Sequence, residues 1–184
     1  MSTEPQAGAT QPKSPQPSPQ NAPVVDEHKL QMLMQQLRDN QNFGMGIVGG
    51  VGGALAGSIL WALVTYATQW QIGFMAIGVG FLVGWGIRKL GQGVDKSFGI
   101  LGAVLSLLGC AFGNLLTACV HIAAASAVSI FAVITSITLE DMTYIMTETF
   151  HPMDVLFYGL AVYYGYRYSF RPLTGEELAS VTRA

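Results

Sequence analysis

Two long stretches of the chain contain no charged residue. Residues 40–87 lack Lys, Arg, Asp and Glu, and so do residues 97–139. Each stretch is more than twice the roughly 18 apolar residues that indicate one membrane-spanning helix. A soluble domain would need charged side chains on its surface in these regions. The pattern therefore predicts an all-α polytopic membrane protein whose helices form a bundle in lipid.

Four segments are predicted to span the membrane, within a domain that covers residues 41–171. They are about 44–68, 70–87, 98–121 and 153–170. The first is long enough to cross a hydrocarbon core of about 30 Å with some tilt. Arg88 and Lys89 end the second segment, and Pro152 precedes the fourth at a position that favours a helix start.

The two ends of the chain are polar. Residues 1–25 hold six of the eight prolines and are predicted to form a disordered, Pro/Gln-rich cytoplasmic tail. Residues 26–40 are predicted to form an amphipathic helix, because Asp26 can cap its start and apolar residues recur at helical spacing. That stripe consists of Leu30, Leu33, Met34 and Leu37. Residues 172–184 are predicted to be a short cytoplasmic tail.

The basic residues predict the orientation. With four spans and a cytoplasmic N-terminus, all nine Lys and Arg residues fall on the cytoplasmic side, and the C-terminus lies there too. A second topology satisfies the same rule. In it, residues 122–138 return through the membrane and residues 153–170 lie on its inner surface. The positions of the basic residues do not choose between the two topologies.

Glycine is abundant, with 22 residues, and many of the glycines recur four positions apart. These steps form small-residue faces on three predicted spans, at Gly49, Gly53, Gly57, Gly80, Gly84, Gly109 and Gly113. In lipid, small residues matter because they allow helix backbones to approach closely. We expect these faces to pack the spans of one chain against each other. In a second interpretation, one face joins copies of the chain into a homo-oligomer or contacts another membrane protein.

Residues that would support catalysis or cofactor binding are scattered or lack context. Residues 44–49 match the spacing of a dinucleotide-binding fingerprint, but no carboxylate that could hold a ribose follows before residue 87. The histidines lack metal-ligand spacing, and Cys110 and Cys119 are expected to be apolar core residues. A net charge of −2 does not provide the excess of positive charge that nucleic-acid binding requires. We therefore expect no enzyme activity, no metal, no cofactor and no nucleic-acid partner.

One polar face interrupts the apolar spans. Asn114, Thr117 and His121 lie at helical spacing on the third predicted span. Polar residues inside the membrane mark ion or substrate pathways. They also form hydrogen bonds between helices, and each bond contributes on the order of 1 kcal/mol to stability. These three residues are the candidate polar site if the protein transports a solute.

Several segments resemble a group of small, uncharacterised bacterial multi-pass membrane proteins. The resemblance is carried by residues 61–68 (WALVTYAT), 72–80 (IGFMAIGVG), 109–114 (GCAFGN) and 156–162 (LFYGLAV), and it covers about residues 43–171. It implies a four-helix protein of the bacterial inner membrane. Many members carry an N-terminal zinc-ribbon-like cysteine motif, whereas this N-terminus has no cysteine, so a metal-binding head is not implied here.

The function that the sequence favours is that of a structural or interaction protein of the membrane. Its predicted partners are the lipid bilayer and either further copies of the chain or another membrane protein. The alternative is a small oligomeric channel or transporter whose path is lined by the face of Asn114, Thr117 and His121.

Overall fold

The structure is a computed structural model that describes residues 24–70, 73–150 and 152–183. Those residues form eight α-helices and a two-residue antiparallel ladder, so the predicted all-α class is confirmed. The helices are α1 (Glu27–Asn40), α2 (Phe43–Thr68), α3 (Met75–Gly91), α4 (Lys96–Ser126), α5 (Ile130–Ser136), α6 (Leu139–Thr149), α7 (Pro152–Tyr168) and α8 (Gly175–Val181). The strands are β1 (Val24–Val25) and β2 (Thr182–Arg183). Most of the predicted tail at 1–25 lies outside the described residues.

Helices α2, α3, α4 and α7 pack together as a four-helix bundle. Helix α3 runs antiparallel to α2 and contacts all three other helices, and α4 runs parallel to α2. The inward side chains of α3 are at most 1 % exposed, because that helix is enclosed by the others. They are Ala76, Val79, Val83 and Ile87. The core of the protein therefore lies around α3.

Two helices of the described chain are long and apolar enough to cross a membrane, not the predicted four. They are α2, with 26 residues, and α4, with 31 residues. Helices α3 and α7 have 17 residues each, which gives about 26 Å of helix against a hydrocarbon core of about 30 Å. Helix α3 starts at Met75 and not at residue 70, because α2 ends at Thr68, Gln69 caps it in a left-handed conformation, and a turn precedes α3.

Residues 122–138 do not form one straight helix. The first of them complete α4, which ends at Ser126 and is capped by Ala127. Residues 130–136 then form α5, and Thr138 caps α6. Helices α5 and α6 are bent by 108° relative to each other, so they add a third crossing only if the pair is one broken span. Both helices pack on the last turns of α4 through a second apolar cluster that includes Leu115 and Cys119.

The two ends of the described chain meet at one end of the bundle. Helix α1 occupies the segment predicted to be amphipathic, is capped by Asp26, and contacts α8. Strands β1 and β2 pair beside them. Arg38 forms a 3.1 Å ion pair with Asp95 in the turn between α3 and α4, and the Arg171 backbone N–H donates to the Gly93 carbonyl. Both terminal segments therefore lie on the side where α3 ends.

Glu177 fixes the start of α8 to the end of the bundle. Its carboxylate accepts hydrogen bonds from the Thr174 backbone N–H and the Arg171 guanidinium, both at 2.8 Å. The hydrogen bonds with Thr174, reinforced by the Arg171 charge, hold the pKa of this carboxyl below its usual range.

Docking of α8 is therefore expected to weaken in acid. A carboxylate whose folded pKa is lowered contributes stability above the unfolded pKa of about 4.3, and the contribution is lost as the pH falls through the folded pKa. We expect the protection factors for amide hydrogen exchange in α8 to fall over that range. Glu177→Gln should remove this pH dependence, whereas Glu176→Gln should keep it. An identical acid response in the two variants would contradict the assignment to Glu177.

Candidate functional site

Three helices contribute polar side chains to the interior of the bundle. Helix α2 provides Trp61 and Thr65, α4 provides Asn114 and Thr117, and α7 provides Tyr158. All five residues are at most 9 % exposed. We call them the interior polar cluster. Trp61 and Tyr158 belong to the same core cluster as the fully buried Cys110.

One hydrogen bond inside the cluster joins α4 to α7. The Asn114 side-chain amide donates to the Tyr158 hydroxyl oxygen at 2.8 Å, and this bond is buried. The Thr117 hydroxyl instead donates to the Gly113 carbonyl at 2.8 Å, one turn back on its own helix. A buried hydrogen bond between membrane helices contributes roughly 0.6 kcal/mol on average. The bond from Asn114 to Tyr158 therefore helps to set the register of α7 on α4.

Two groups of the interior polar cluster have no hydrogen-bond partner among the described residues. They are the Trp61 indole N–H and the Thr65 hydroxyl, one turn apart on α2. Gly113 packs against the indole, since a Cβ at that position would lie 3.4 Å from the Trp61 ring. A buried polar group without a partner is costly, and such groups can hydrogen-bond a water molecule or a small polar solute.

His121 does not join the cluster. Asn114 and Thr117 are buried, but His121 is exposed, and its ring lies 6.2 Å from that of Tyr66. The reason is the length of α4, which continues beyond the end of α2 at Thr68, so that His121 stands at the mouth of the bundle. The three predicted residues therefore do not form one buried polar line.

The predicted glycines of α2 all face α3. A Cβ at Gly49 would overlap the backbone of Gly86, one at Gly53 would overlap the Leu82 carbonyl, and Gly57 lies against Val79. A neighbouring backbone cannot move aside as a flexible side chain can. The small residues on this face therefore allow α2 and α3 to approach backbone to backbone.

The other predicted glycines also face helices of the same chain. Gly80 and Gly84 on α3 lie against α7, where a Cβ at Gly80 would overlap the Ala161 carbonyl. Gly109 on α4 lies against Val79 of α3 and Ala54 of α2, and Gly113 lies against Trp61. The predicted faces thus meet α2, α3 and α7 of their own chain.

The contact between α4 and α7 uses small residues that the sequence analysis did not single out. A Cβ at Gly102 would overlap the Gly165 carbonyl, and one at Gly165 would overlap the Ser106 hydroxyl. The hydroxyls of Ser106 and Ser169 donate to their own helix, to the carbonyls of Gly102 and Gly165, at 2.6 Å. The signal was present as two Gly-x-x-x-Ser steps, which are small-residue steps like those between glycines.

The described residues contain no group of three or more His, Cys, Asp or Glu side chains that could hold a metal ion. Cys110 and Cys119 are both free and buried. In comparisons with known proteins, no family model, no curated protein and no solved structure matches the chain. The resemblance to small bacterial multi-pass membrane proteins stays a prediction from the sequence.

Proposed function

We propose that the chain is an integral membrane protein with a structural or interaction role, built as four membrane helices in the inner membrane of a bacterium. The position of α3 supports this proposal. Helices α2 and α4 have the length and hydropathy of spans, and α3 is packed against both of them and against α7. A helix enclosed in this way lies at the depth of its neighbours, and Arg88 and Lys89 at its end can snorkel to the headgroups.

Charge favours α7 over the α5–α6 pair as the fourth crossing. In α7 the charged residues Asp154 and Arg167 stand in the first and last turns, where they can reach the two interfaces. In the α5–α6 pair, Glu140 and Asp141 stand near the middle, where a spanning path would place them deep in hydrocarbon. We therefore propose that α5 and α6 lie at the outer surface and that both termini are cytoplasmic.

Thiol labelling of intact spheroplasts tests this topology. In a background with Cys110→Ala and Cys119→Ala, Glu148→Cys should react with a membrane-impermeant maleimide added outside. Glu176→Cys should react only after the membrane is permeabilised. Both positions are exposed in the structure, so accessibility depends on the side of the membrane. Protection of both positions until permeabilisation would favour the second topology, in which residues 122–138 return to the cytoplasm.

The glycine contacts support a role for these faces in assembling the chain itself. Each predicted strip already faces a helix of the same chain, which favours packing within one chain over a homo-oligomer through these strips. We expect native mass spectrometry in mild detergent to give the same subunit number for the parent protein and for Gly53→Leu. If Gly53→Leu dissociated an oligomer while the buried Cys110 thiol stayed as protected as in the parent, a homo-oligomer built on this face would be the better interpretation.

The alternative function is a small channel or transporter. It is favoured by the two unpartnered groups on Trp61 and Thr65, which lie in the bundle interior with Asn114 and Tyr158. This function predicts proton or solute flux in proteoliposomes that falls in Asn114→Leu, with Asn40→Leu at the exposed end of α1 as the control. Flux no greater than in protein-free liposomes, under all imposed gradients, would eliminate it.

A further inference from the structure

Three arginines line one pocket at the end of the bundle where the termini meet. The pocket has a volume of about 250 Å³ and is lined by Arg88, Arg167, Tyr168, Phe170, Arg171 and Pro172. Arg88 stands in the last turn of α3, and Arg167 stands in the last turn of α7. These turns coincide because the two helices are parallel and Gly84 lies against Tyr168 and Gly165. The packing of α3 on α7 therefore places Arg88 and Arg167 in the wall of one pocket.

The positive charge of this pocket is only partly compensated. Within the described part of the chain, the two ion pairs are Arg38–Asp95 and Arg171–Glu177. Neither involves Arg88 or Arg167, although both line the same pocket. Two guanidinium groups close together repel each other unless an anion lies between them. The pocket therefore favours a ligand that carries negative charge.

The surroundings of the pocket indicate an amphiphilic ligand. Tyr168 and Phe170 give part of its wall an aromatic surface. One or two turns earlier on α3, and so deeper in the proposed membrane, Phe81 and Trp85 are 43 % and 49 % exposed. The Phe81 ring lies 5.1 Å from that of Tyr168, which makes the apolar surface continuous with the pocket wall. A headgroup among the arginines would have its acyl chains along this surface.

We propose that Arg88, Arg167 and Arg171 bind the phosphate of an anionic phospholipid from the leaflet at this end of the bundle. Arginine suits this role because its planar guanidinium can donate two parallel hydrogen bonds to a phosphate. Basic pockets between membrane helices on the cytoplasmic side are typical sites for such headgroups. The inference rests on the proposed membrane location. It assigns a bound lipid to the protein, whereas the proposed structural role rests on the glycine contacts and requires no ligand.

Native mass spectrometry of the full chain in detergent tests the pocket. Phosphatidylglycerol and phosphatidylcholine are added separately at matched concentrations, and inorganic phosphate is then added to the lipid-bound protein. We expect the parent protein to retain phosphatidylglycerol. In Arg88→Gln/Arg167→Gln the fraction of protein with bound lipid should fall about tenfold or more. The control is Lys29→Gln/Lys96→Gln, which loses the same charge at exposed positions outside the pocket and should retain the lipid.

Three results would overturn the proposal. They are equal retention of phosphatidylcholine, unchanged retention in the arginine double variant, and displacement of the lipid by inorganic phosphate, which would assign the pocket to free phosphate. Resistance to carbonate extraction is measured separately, on cell membranes that contain the parent chain. Release of the parent chain by carbonate would contradict the proposed membrane function, whereas an inserted chain that does not discriminate lipids contradicts only the pocket.

Discussion

Replacement of Gly53 by leucine is expected to force α2 away from α3 and to expose the bundle core. A Cβ at this position would come closer than 3.0 Å to the Leu82 carbonyl and the Val83 Cα, which are backbone atoms. Overpacking of a filled core costs about 1–3 kcal/mol, and more where neither backbone can yield. We expect the free energy of unfolding, measured in mixed micelles, to fall by roughly 3 kcal/mol or more.

Cys110 provides a local measurement of the same change, because its side chain is fully buried in the parent protein. In a Cys119→Ala background, the Cys110 thiol should react with a maleimide much faster in Gly53→Leu than in the parent, since labelling follows the population of open bundle. The matched control is Gly52→Leu. Gly52 is the preceding residue on the same helix, and nothing lies within 4 Å of a Cβ there.

Gly52→Leu should be neutral or slightly stabilising, because leucine has a higher helix propensity than glycine. Equal labelling rates in the two variants would show that Gly53 does not contact α3 as described. A large effect of Gly52→Leu alone would instead indicate that the outward face of α2 packs against a partner.

The sequence predicted the helical class because long uncharged segments leave a membrane chain few alternatives. It did not predict the ends of the helices within those segments. Apart from two glutamines, residues 69–75 are as apolar as a membrane-spanning helix, so the hydropathy of the sequence stays high between α2 and α3. The break is set by the left-handed conformation of Gln69 and by later packing, since Gly73 lies against Phe157 of α7. The first is a local feature of the helix end and the second is a tertiary contact, and hydrophobic periodicity contains neither.

The polar site shows a similar limit. Spacing placed Asn114, Thr117 and His121 on one helical face, and two of the three are buried in the bundle. Whether His121 is buried depends on where the neighbouring helix α2 ends, which is not a property of α4. The partner of Asn114 is Tyr158, 44 residues later in the chain. Sequence periodicity reports the face of a helix, and contacts with other helices decide what that face meets.

The contact between α4 and α7 should be the other most sensitive point of the bundle. Gly165 stands where three helices meet, because a Cβ there would overlap Ser106 and Gly102 of α4 and its own carbonyl lies near Gly84 of α3. Helix α7 is short and carries charges in its end turns, so it depends on close packing to stay in the bundle. Gly165→Leu is expected to separate α7 from the bundle and to lower the free energy of unfolding by about 3 kcal/mol or more.

The control for this prediction lies on the same helix. Gly159 has nothing within 4 Å of a Cβ, so Gly159→Leu should leave stability and Cys110 labelling close to those of the parent. If the two leucine variants were equally stable, α7 could not pack on α4 through Gly165.

A double-mutant cycle can separate a local contact from general damage to the helix. Gly165→Ala adds only a Cβ, whose nearest neighbours are the Ser106 hydroxyl and Cβ and the Gly102 carbonyl. Ser106→Gly removes two of these three atoms, so it should partly rescue Gly165→Ala, by about 1 kcal/mol beyond the sum of the single changes. Ser169→Gly, one turn away on α7 itself, removes none of these three atoms and should give no such rescue. Additive effects in both cycles would mean that Gly165 acts through α7 alone, because two residues in contact across a helix pair cannot contribute independently to its stability.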